Sequence, residues 1–247
     1  FDGMWIDMIG WFGMICYCPH CRERYLKETG RDLPYKIDWQ DKNWVQFQRK
    51  REEWLAEFAE MITNTAKKVK PGISLVHQCT TWLHGWSGGA TYGFFRQSDY
   101  LAGDFYSGAS EQSLICKFLN AVTENRPIEF MTSRCPDLTD HTTLKPRELL
   151  EAQVYASIAN NASFVFIDAI DPVGTINPKV YKMMGSIFEE TIPYEKYLDS
   201  NAKECSDVAI YMDFSNFINF DENGKHVKDT SHVIEPIQNA YNIAKTL

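Results

Sequence analysis

The sequence predicts an α/β fold built on parallel strands, and two observations support this prediction. First, short segments rich in apolar, β-branched and aromatic residues alternate along the chain with segments of helical period. Strict alternation of strand and helix places the strands parallel and joins them by right-handed connections. Second, polar residues stand where the strands end. The first observation fits an open doubly wound sheet or part of an eight-stranded barrel, and the second favours the barrel.

The elements follow one another in a regular order. Gly30 ends the first helix, and Pro71-Gly72 breaks the second, whose apolar residues recur three, four or seven apart. Pro146 suits the first turn of a later helix. The predicted strands are Gly3–Met8, Ile73–His77, Tyr100–Tyr106, Ile128–Thr132, Ser163–Asp168 and Asp207–Met212. The predicted helices are His20–Thr29, Lys42–Val69, Glu111–Glu124, Pro146–Asn160, Pro178–Leu198 and His232–Thr246.

The strand ends favour the barrel because active sites of TIM (β/α)8 barrels are built at the carboxyl ends of the strands. Residues 1–200 are therefore predicted to form the rear strands of such a barrel, with the front strands upstream. Residues 201–247 are predicted to start a second α/β domain. The polar residues at or just past successive strand ends are Asp7, His77, Asp104, Thr132 and Asp168.

Composition excludes several classes of partner. The net charge is −8, which gives no electrostatic footprint for nucleic acid or for an anionic membrane surface. No apolar run approaches the roughly 18 residues that span a bilayer. Aromatic residues make up 14% of the chain, a composition suited to stacking on sugars. Seven cysteines argue against a full disulfide framework, and unpaired thiols favour a cytoplasmic location.

The sharpest local motif is a cluster of three cysteines, Cys16, Cys18 and Cys21. On a tight loop, this spacing can direct three thiolates at one tetrahedral zinc ion. A fourth ligand comes either from His20 or from an upstream segment. The alternative is three unrelated thiols on a surface turn. A bound zinc ion would fix the loop rather than catalyse, since no HExxH-type partner is present.

A second motif surrounds Asp7, which follows Trp5 and precedes Trp11. A carboxylate at the end of a parallel strand, flanked by indoles, is how a retaining glycosidase presents its nucleophile. Such an enzyme needs a second carboxyl group about 5–5.5 Å away as acid and then base. Each strand-end Asp has an alternative role as a cap of the next helix or turn. Candidates for the second group are Asp104, Glu111, Asp137, Asp140, Asp168 and Asp171.

A third motif is an aromatic loop that contains Trp82 and Trp86 among glycine and polar residues. Sugar rings pack on indole faces, and this setting makes a core position less expected for both rings. His77 is either a core histidine or a ligand contact. Trp44 and Trp54, on the long helix, are predicted to pack in the core.

The residues also resemble a known family. Cys16–Arg22, followed by Tyr25–Pro34, resembles the segment after the fourth barrel strand in the trimeric zinc-cluster β-galactosidases of glycoside hydrolase family 42. Leu149–Asp168 is similar to their last helix and eighth strand. This resemblance implies a structural zinc held by the three cysteines and one upstream cysteine. It also implies that residues 201–247 start a flavodoxin-like trimerisation domain, and hence a homotrimer.

Two departures change the expected chemistry. Ile6-Asp7 stands where those enzymes carry an Asn-Glu pair, and Thr132 stands where they carry the nucleophilic Glu. Because Thr cannot form a stable glycosyl ester, β-galactosidase chemistry is not expected. The segment Met4–Met8 instead resembles the fourth strand of α-L-fucosidases, and the mixture of features resembles glycoside hydrolase family 151. This resemblance implies that Asp7 is the nucleophile of a retaining α-L-fucosidase that acts on fucosylated oligosaccharides.

The resemblance assigns roles to further residues. Glu111 is expected to be the acid/base, with Asp137 as second choice, and catalysis is expected to need no cofactor. Three other readings stay open: a glycosidase for another sugar such as galactose, a carbohydrate-binding barrel without catalysis, and a zinc-stabilised interaction module. The residues expected to contact the carbohydrate substrate are Trp5, Trp11, His77, Trp82, Asp104 and Asp168.

Overall fold

The structure is a computed structural model that confirms a mixed α/β fold with parallel strands. It describes residues 1–227 except 12–14, 107, 137–139, 141, 171, 200–201, 204 and 206, and for residues 81 and 82 it describes the backbone alone. Closure into a (β/α)8 barrel stays a prediction. In the part of the chain that is described, no helix is both long and apolar enough to cross a membrane.

The chain divides into two compact units. The first unit contains Phe1–Asp99 together with the described residues from Ile210 onward, and the second unit is Tyr100–Ala209. The predicted division between a barrel segment and a flavodoxin-like segment at residue 200 stays a prediction.

The first unit holds two parallel strands, β1 (Gly3–Ile6) and β2 (Ser74–His77), paired from Gly3 opposite Ser74 to Ile6 opposite His77. Along the chain, helices α1 (Pro19–Thr29) and α2 (Lys42–Val69) connect the two strands. The remaining elements of this unit are a 3-10 helix at Thr80–Ser87, helix α3 (Tyr92–Phe95), and 3-10 helices at Phe214–Asn216 and Phe220–Glu222.

Helix α2 forms because its ends and its apolar spacing agree. The Asp41 side chain accepts a hydrogen bond from the backbone N–H of Asn43, and Pro71 follows one residue after the C-cap. Its inner face buries Trp44 and Trp54, which confirms the predicted packing role of both rings. Burial of this aromatic face, rather than helix propensity, supplies most of the stability of such a helix.

Trp86 lies in the core, so the expectation that its ring lies outside the core is wrong. Its ring packs edge-to-face on Trp39 and Trp44, with centroids 5.6 and 5.4 Å away. Its Nε1–H donates to the buried carboxylate of Glu222 at 2.8 Å. That hydrogen bond offsets the cost of burying the indole N–H. Its acceptor, Glu222, lies far along the chain from Trp86.

The second unit is a three-stranded parallel sheet in the order β3 (Ala102–Asp104), β4 (Ile128–Ser133) and β5 (Ala162–Ile167). Its helices are α4 (Ala109–Val122), α5 (Arg147–Ala159) and α6 (Pro178–Glu195). A core of Leu150, Val154 and Ile187 packs against partly buried hydrophobic residues that include Phe164 and Phe166 of β5. Helices α5 and α6 thereby cover part of one face of β5.

The predicted strand Asp207–Met212 is not present: residues 207–212 have no strand conformation. Val208 and Tyr211 are exposed, so the segment buries no alternate face. The Asp213 side chain instead accepts from the backbone N–H of Ser215 at 3.0 Å and caps the 3-10 helix at Phe214–Asn216. The predicted helix His232–Thr246 lies outside the described residues.

Candidate functional site

Asp7 is an exposed carboxylate that directly follows β1. The next residue, Met8, has φ 55°, a left-handed conformation that is uncommon for residues other than glycine. The buried side chain of Gln78 holds this turn, because its Oε1 accepts the Met8 N–H at 2.9 Å. The Gln78 N–H in turn donates to the Ile6 carbonyl at 3.0 Å. Non-glycine residues held in such conformations cluster at functional sites.

The predicted sugar-stacking rings of the first unit differ in their surroundings. Trp5 is half-buried in β1 opposite Val76. Trp11 donates its Nε1–H to the Arg51 carbonyl at 2.9 Å, and the Arg51 guanidinium lies 5.4 Å from its ring. A Cβ atom at Gly89, which has φ 73°, would come within 2.4 Å of Cδ1 of Trp11. Trp11 is therefore packed against neighbouring backbone, and the Trp82 side chain lies outside the described residues.

His77, the last residue of β2, is fully buried, and its ring faces Thr63 of α2. Its Nε2 lies 2.9 Å from Oγ1 of Thr63, and that hydroxyl donates its own hydrogen to the Gln97 carbonyl at 2.8 Å. The ring therefore carries its proton on Nε2 and donates to Thr63, while the ring also packs on Phe94. Burial lowers the pKa of His77 to about 4. This geometry favours the core role of His77 over a contact with a sugar.

The buried imidazole makes stability depend on pH. The folded-state pKa of about 4 lies below the ordinary value of 6.5, so the unfolded chain binds the proton more readily. We expect the neutral His77 ring to contribute its full stabilisation above pH 6.5. As the pH drops from 6.5 toward 4, the free energy of unfolding is expected to fall. Urea midpoints at pH 7 and pH 4.5 measure this loss, which is expected to shrink in His77→Gln. An equal loss in both proteins would contradict the assignment.

The second unit carries two predicted site residues near the end of β3. Asp104 is the last residue of that strand, half-buried, and its Oδ2 accepts from the Tyr106 hydroxyl at 2.6 Å. Glu111 lies half-buried in the first turn of α4, where the positive end of the helix dipole favours a carboxylate. The second choice for the acid/base, Asp137, lies outside the described residues.

Asp168 directly follows β5 and pairs with an arginine that sequence reasoning missed. Its Oδ1 accepts from Nε of Arg134 at 2.5 Å and from the Ala169 N–H at 2.8 Å. The Arg134 and Asp168 side chains are only 7% and 8% exposed. Oδ2 of Asp168 is buried and has no hydrogen-bond partner among the described residues. The pair thus holds a carboxylate whose second oxygen is an unused acceptor without solvent-exposed surface.

Thr132, the residue that replaces a nucleophilic Glu in the family resemblance, is fully buried. Nζ of the buried Lys145 donates to Thr132 Oγ1 at 3.4 Å and to the Ser133 carbonyl at 2.6 Å. Burial lowers the pKa of this lysine. The hydroxyl is therefore part of a buried polar contact at the end of β4.

Glu129 is a further residue that sequence reasoning missed. It is half-buried in β4, and burial raises the pKa of its carboxyl group. The available signal was an acidic residue inside an otherwise apolar strand, since buried acidic residues are usually paired or functional.

The three cysteines predicted as metal ligands lie together. Their sulfur atoms are all within 4.8 Å of one another, and Cys16 is exposed while Cys18 and Cys21 are half-buried. Cys18 directly precedes α1 and Cys21 lies in its first turn. The hydroxyl of Tyr17, between the first two cysteines, donates to the Pro34 carbonyl at 2.6 Å and anchors the loop. The cluster can therefore bind a metal ion.

The electrostatics of the cluster support that use. The Cys21 N–H and the neighbouring thiols lower the pKa of Cys18. Burial and the two other thiols raise the pKa of Cys21 to about 12. A metal ion would offset this mutual repulsion of thiolates. Tetrahedral zinc at about 2.3 Å from each sulfur needs sulfur atoms about 3.8 Å apart, which is compatible with three sulfur atoms that lie within 4.8 Å of one another.

The candidate elements are thus Asp7 with its turn in the first unit, the Arg134–Asp168 pair with Asp104 and Glu111 in the second, and the three-thiol cluster. Comparison of the chain with protein-family models, with curated proteins and with solved structures gives no match.

Proposed function

We propose that this chain is the catalytic part of a retaining α-L-fucosidase that acts on fucosylated oligosaccharides, with Asp7 as nucleophile. The observation that carries the proposal is the exposed Asp7 carboxylate directly after a parallel strand, next to the left-handed turn that Gln78 holds. A nucleophile has to be presented rigidly, because small misplacements cost large factors in rate. Trp5 in the same strand and the resemblance of Met4–Met8 to fucosidases add support.

The proposal includes a (β/α)8 barrel, in which the carboxyl ends of the strands carry the active site. Its support is that every described strand pairs in parallel within its own sheet. Asp7, Asp104 and Asp168 each stand at or directly after the carboxyl end of a strand. The flavodoxin-like segment and the homotrimer are part of the same proposal and rest on the resemblance alone.

In the proposed mechanism the ionised Asp7 attacks the anomeric carbon and forms a glycosyl ester. Glu111 protonates the leaving oxygen and then takes a proton from the water that hydrolyses the ester. Retention of configuration requires these carboxyl groups to come about 5–5.5 Å apart. Asp168, positioned by Arg134, is proposed to contact the carbohydrate; because its Oδ2 is buried in this structure, that contact requires the side chain to turn toward the substrate.

The proposal is tested by incubating the intact protein with aryl glycosides, foremost an α-L-fucoside and a β-D-galactoside. Release from the fucoside, together with a peptide that contains Asp7 labelled by a 2-fluoro-fucosyl donor, is the expected result. Release from the galactoside alone would replace fucose by another sugar. Glycan binding without turnover across the panel would favour a carbohydrate-binding barrel and overturn the enzymatic proposal.

We further propose that the three-thiol cluster holds a structural zinc ion. The supporting observation is the grouping of three sulfur donors, since soft thiolates select zinc over the hard cations. Zinc would stabilise the conformation of the loop before α1. The fourth ligand would be His20 or a residue of an upstream segment. Clustered free thiols persist under reducing conditions, so we place the protein in the cytoplasm.

Removal of one ligand is expected to remove the metal. The intact protein purified with zinc is expected to contain about one zinc ion per chain, and Cys21→Ser is expected to lose most of it. Elemental analysis after gel filtration measures the zinc content. Cys205→Ser, which removes another exposed cysteine, is the matched control and is expected to keep the zinc. Equal zinc content in both variants would contradict the site.

A further inference from the structure

The segment Cys18-Pro19-His20-Cys21 places two thiols at the start of a helix. Cys18 is the N-cap of α1 and Cys21 is the third residue of the helix, so the two stand one helical turn apart. For α-helical geometry this spacing puts their Cα atoms about 5 Å apart. Disulfides join Cα atoms that are 4.4–6.8 Å apart, so the backbone already has the separation that a disulfide needs.

The side chains meet the same requirement. The sulfur atoms of the cluster are within 4.8 Å of one another, so rotation of the two side chains can bring the pair to bonding distance. Both residues are half-buried rather than enclosed, which leaves them open to a small reagent. Cys16 and Cys18 are separated by one residue, and a bond between them would close a much smaller and more strained ring. The helical spacing therefore favours the pair Cys18 and Cys21, and the variant Cys16→Ser tests the alternative pair Cys16 and Cys21.

We propose that Cys18 and Cys21 form a redox-active dithiol that low-molecular-weight disulfides such as oxidised glutathione convert to an intramolecular disulfide. This inference is independent of the glycosidase proposal. It shares only the cysteine ligands with the zinc proposal, because a disulfide removes two of the three thiolates that would hold the metal.

The chemistry is two successive thiol–disulfide exchanges. The Cys18 thiolate attacks one sulfur of oxidised glutathione, forms a mixed disulfide and releases one glutathione thiolate. The Cys21 sulfur then attacks the Cys18 sulfur of the mixed disulfide and releases the second glutathione. Two protein thiols are oxidised, one glutathione disulfide is reduced, and the two thiol protons end on the two glutathione molecules.

The test uses the intact, metal-free, reduced protein, oxidised with glutathione disulfide, alkylated and mapped by mass spectrometry. The expected product is a Cys18–Cys21 link, two hydrogens lighter and free of glutathione. Cys205 is exposed and distant in sequence from the other cysteines, so it serves as an internal control that is expected to retain glutathione. Stable glutathione on Cys18, as on Cys205, or thiols that stay reduced, would overturn the proposal.

Variants separate the pair from the third thiol. Cys16→Ser is expected to form the link as the parent protein does, and Cys21→Ser is expected to stop at the mixed disulfide on Cys18. A link that disappears in Cys16→Ser would overturn the assignment of the pair. Protein loaded with zinc is expected to form the link more slowly and to release its zinc. If the cluster takes no zinc, the zinc proposal fails, and the metal-free result decides the dithiol by itself.

Discussion

Replacing Asp7 with Asn is expected to lower kcat/KM for an aryl α-L-fucoside by at least about 10⁴-fold, the size of loss seen when a member of a catalytic unit is removed. Asn keeps the size of the side chain but cannot form the glycosyl ester. Since Asp7 is exposed and the turn at Met8 is held by the hydrogen bond from its N–H to Gln78 Oε1, the fold is expected to tolerate the change. Steady-state kinetics measure the loss, and unfolding midpoints equal to those of the parent protein show that it is catalytic.

The chain offers a matched control at the opposite end of the same strand. Asp2 precedes β1, its side chain is fully exposed, and it pairs with Lys70 at 2.8 Å. Asp2→Asn is expected to change kcat/KM less than about twofold. The exposed ion pair that it removes contributes little to the stability of the fold. Asp7→Gly with added azide is expected to recover turnover and to give a glycosyl azide of inverted configuration. Activity of Asp7→Asn within about tenfold of the parent protein would overturn the nucleophile.

Those parts of the fold that depend on local signals could be predicted from the sequence. Helix α2 has the predicted bounds, because its apolar spacing and the Pro71-Gly72 break lie within the segment itself. The three cysteines lie together as predicted, since ligands this close in sequence on one turn have little room to separate. Asp7 likewise falls at the end of its strand because a short apolar run defines where β1 ends.

The features that could not be predicted depend on partners far along the chain. The buried Trp86 donates a hydrogen bond to Glu222, and the buried His77 forms one with Thr63. Neither partner can be identified from the sequence next to Trp86 or His77. Arg134 and Asp168 each follow a strand, but only the pairing of β4 with β5 brings them into contact. The segment Asp207–Met212 has strand-like composition, yet a strand needs a neighbour, and composition does not supply one.

The largest expected effect on stability is that of Trp44→Ala, about 3–5 kcal/mol in the free energy of unfolding. Trp44 has no exposed surface. Its ring packs edge-to-face on Trp39 at 5.7 Å and on Trp86 at 5.4 Å, and it also contacts Phe47 of the same helix. Alanine would leave a cavity among rings that cannot collapse into it, because each is held by other contacts. Denaturant unfolding of the intact protein, followed by circular dichroism, measures the loss.

Two further variants show whether the loss comes from the cavity. Phe58→Ala removes a ring from the same helix at a position that is 49% exposed, and it is expected to cost less than about 1 kcal/mol. Trp44→Phe also removes the buried indole N–H, which has no partner among the described residues. An unpaired buried donor costs about 1–3 kcal/mol, so its removal offsets part of the lost packing. Trp44→Phe is therefore expected to retain well over half of the stability that Trp44→Ala loses. Equal losses of stability in Trp44→Ala and Phe58→Ala would contradict the aromatic core.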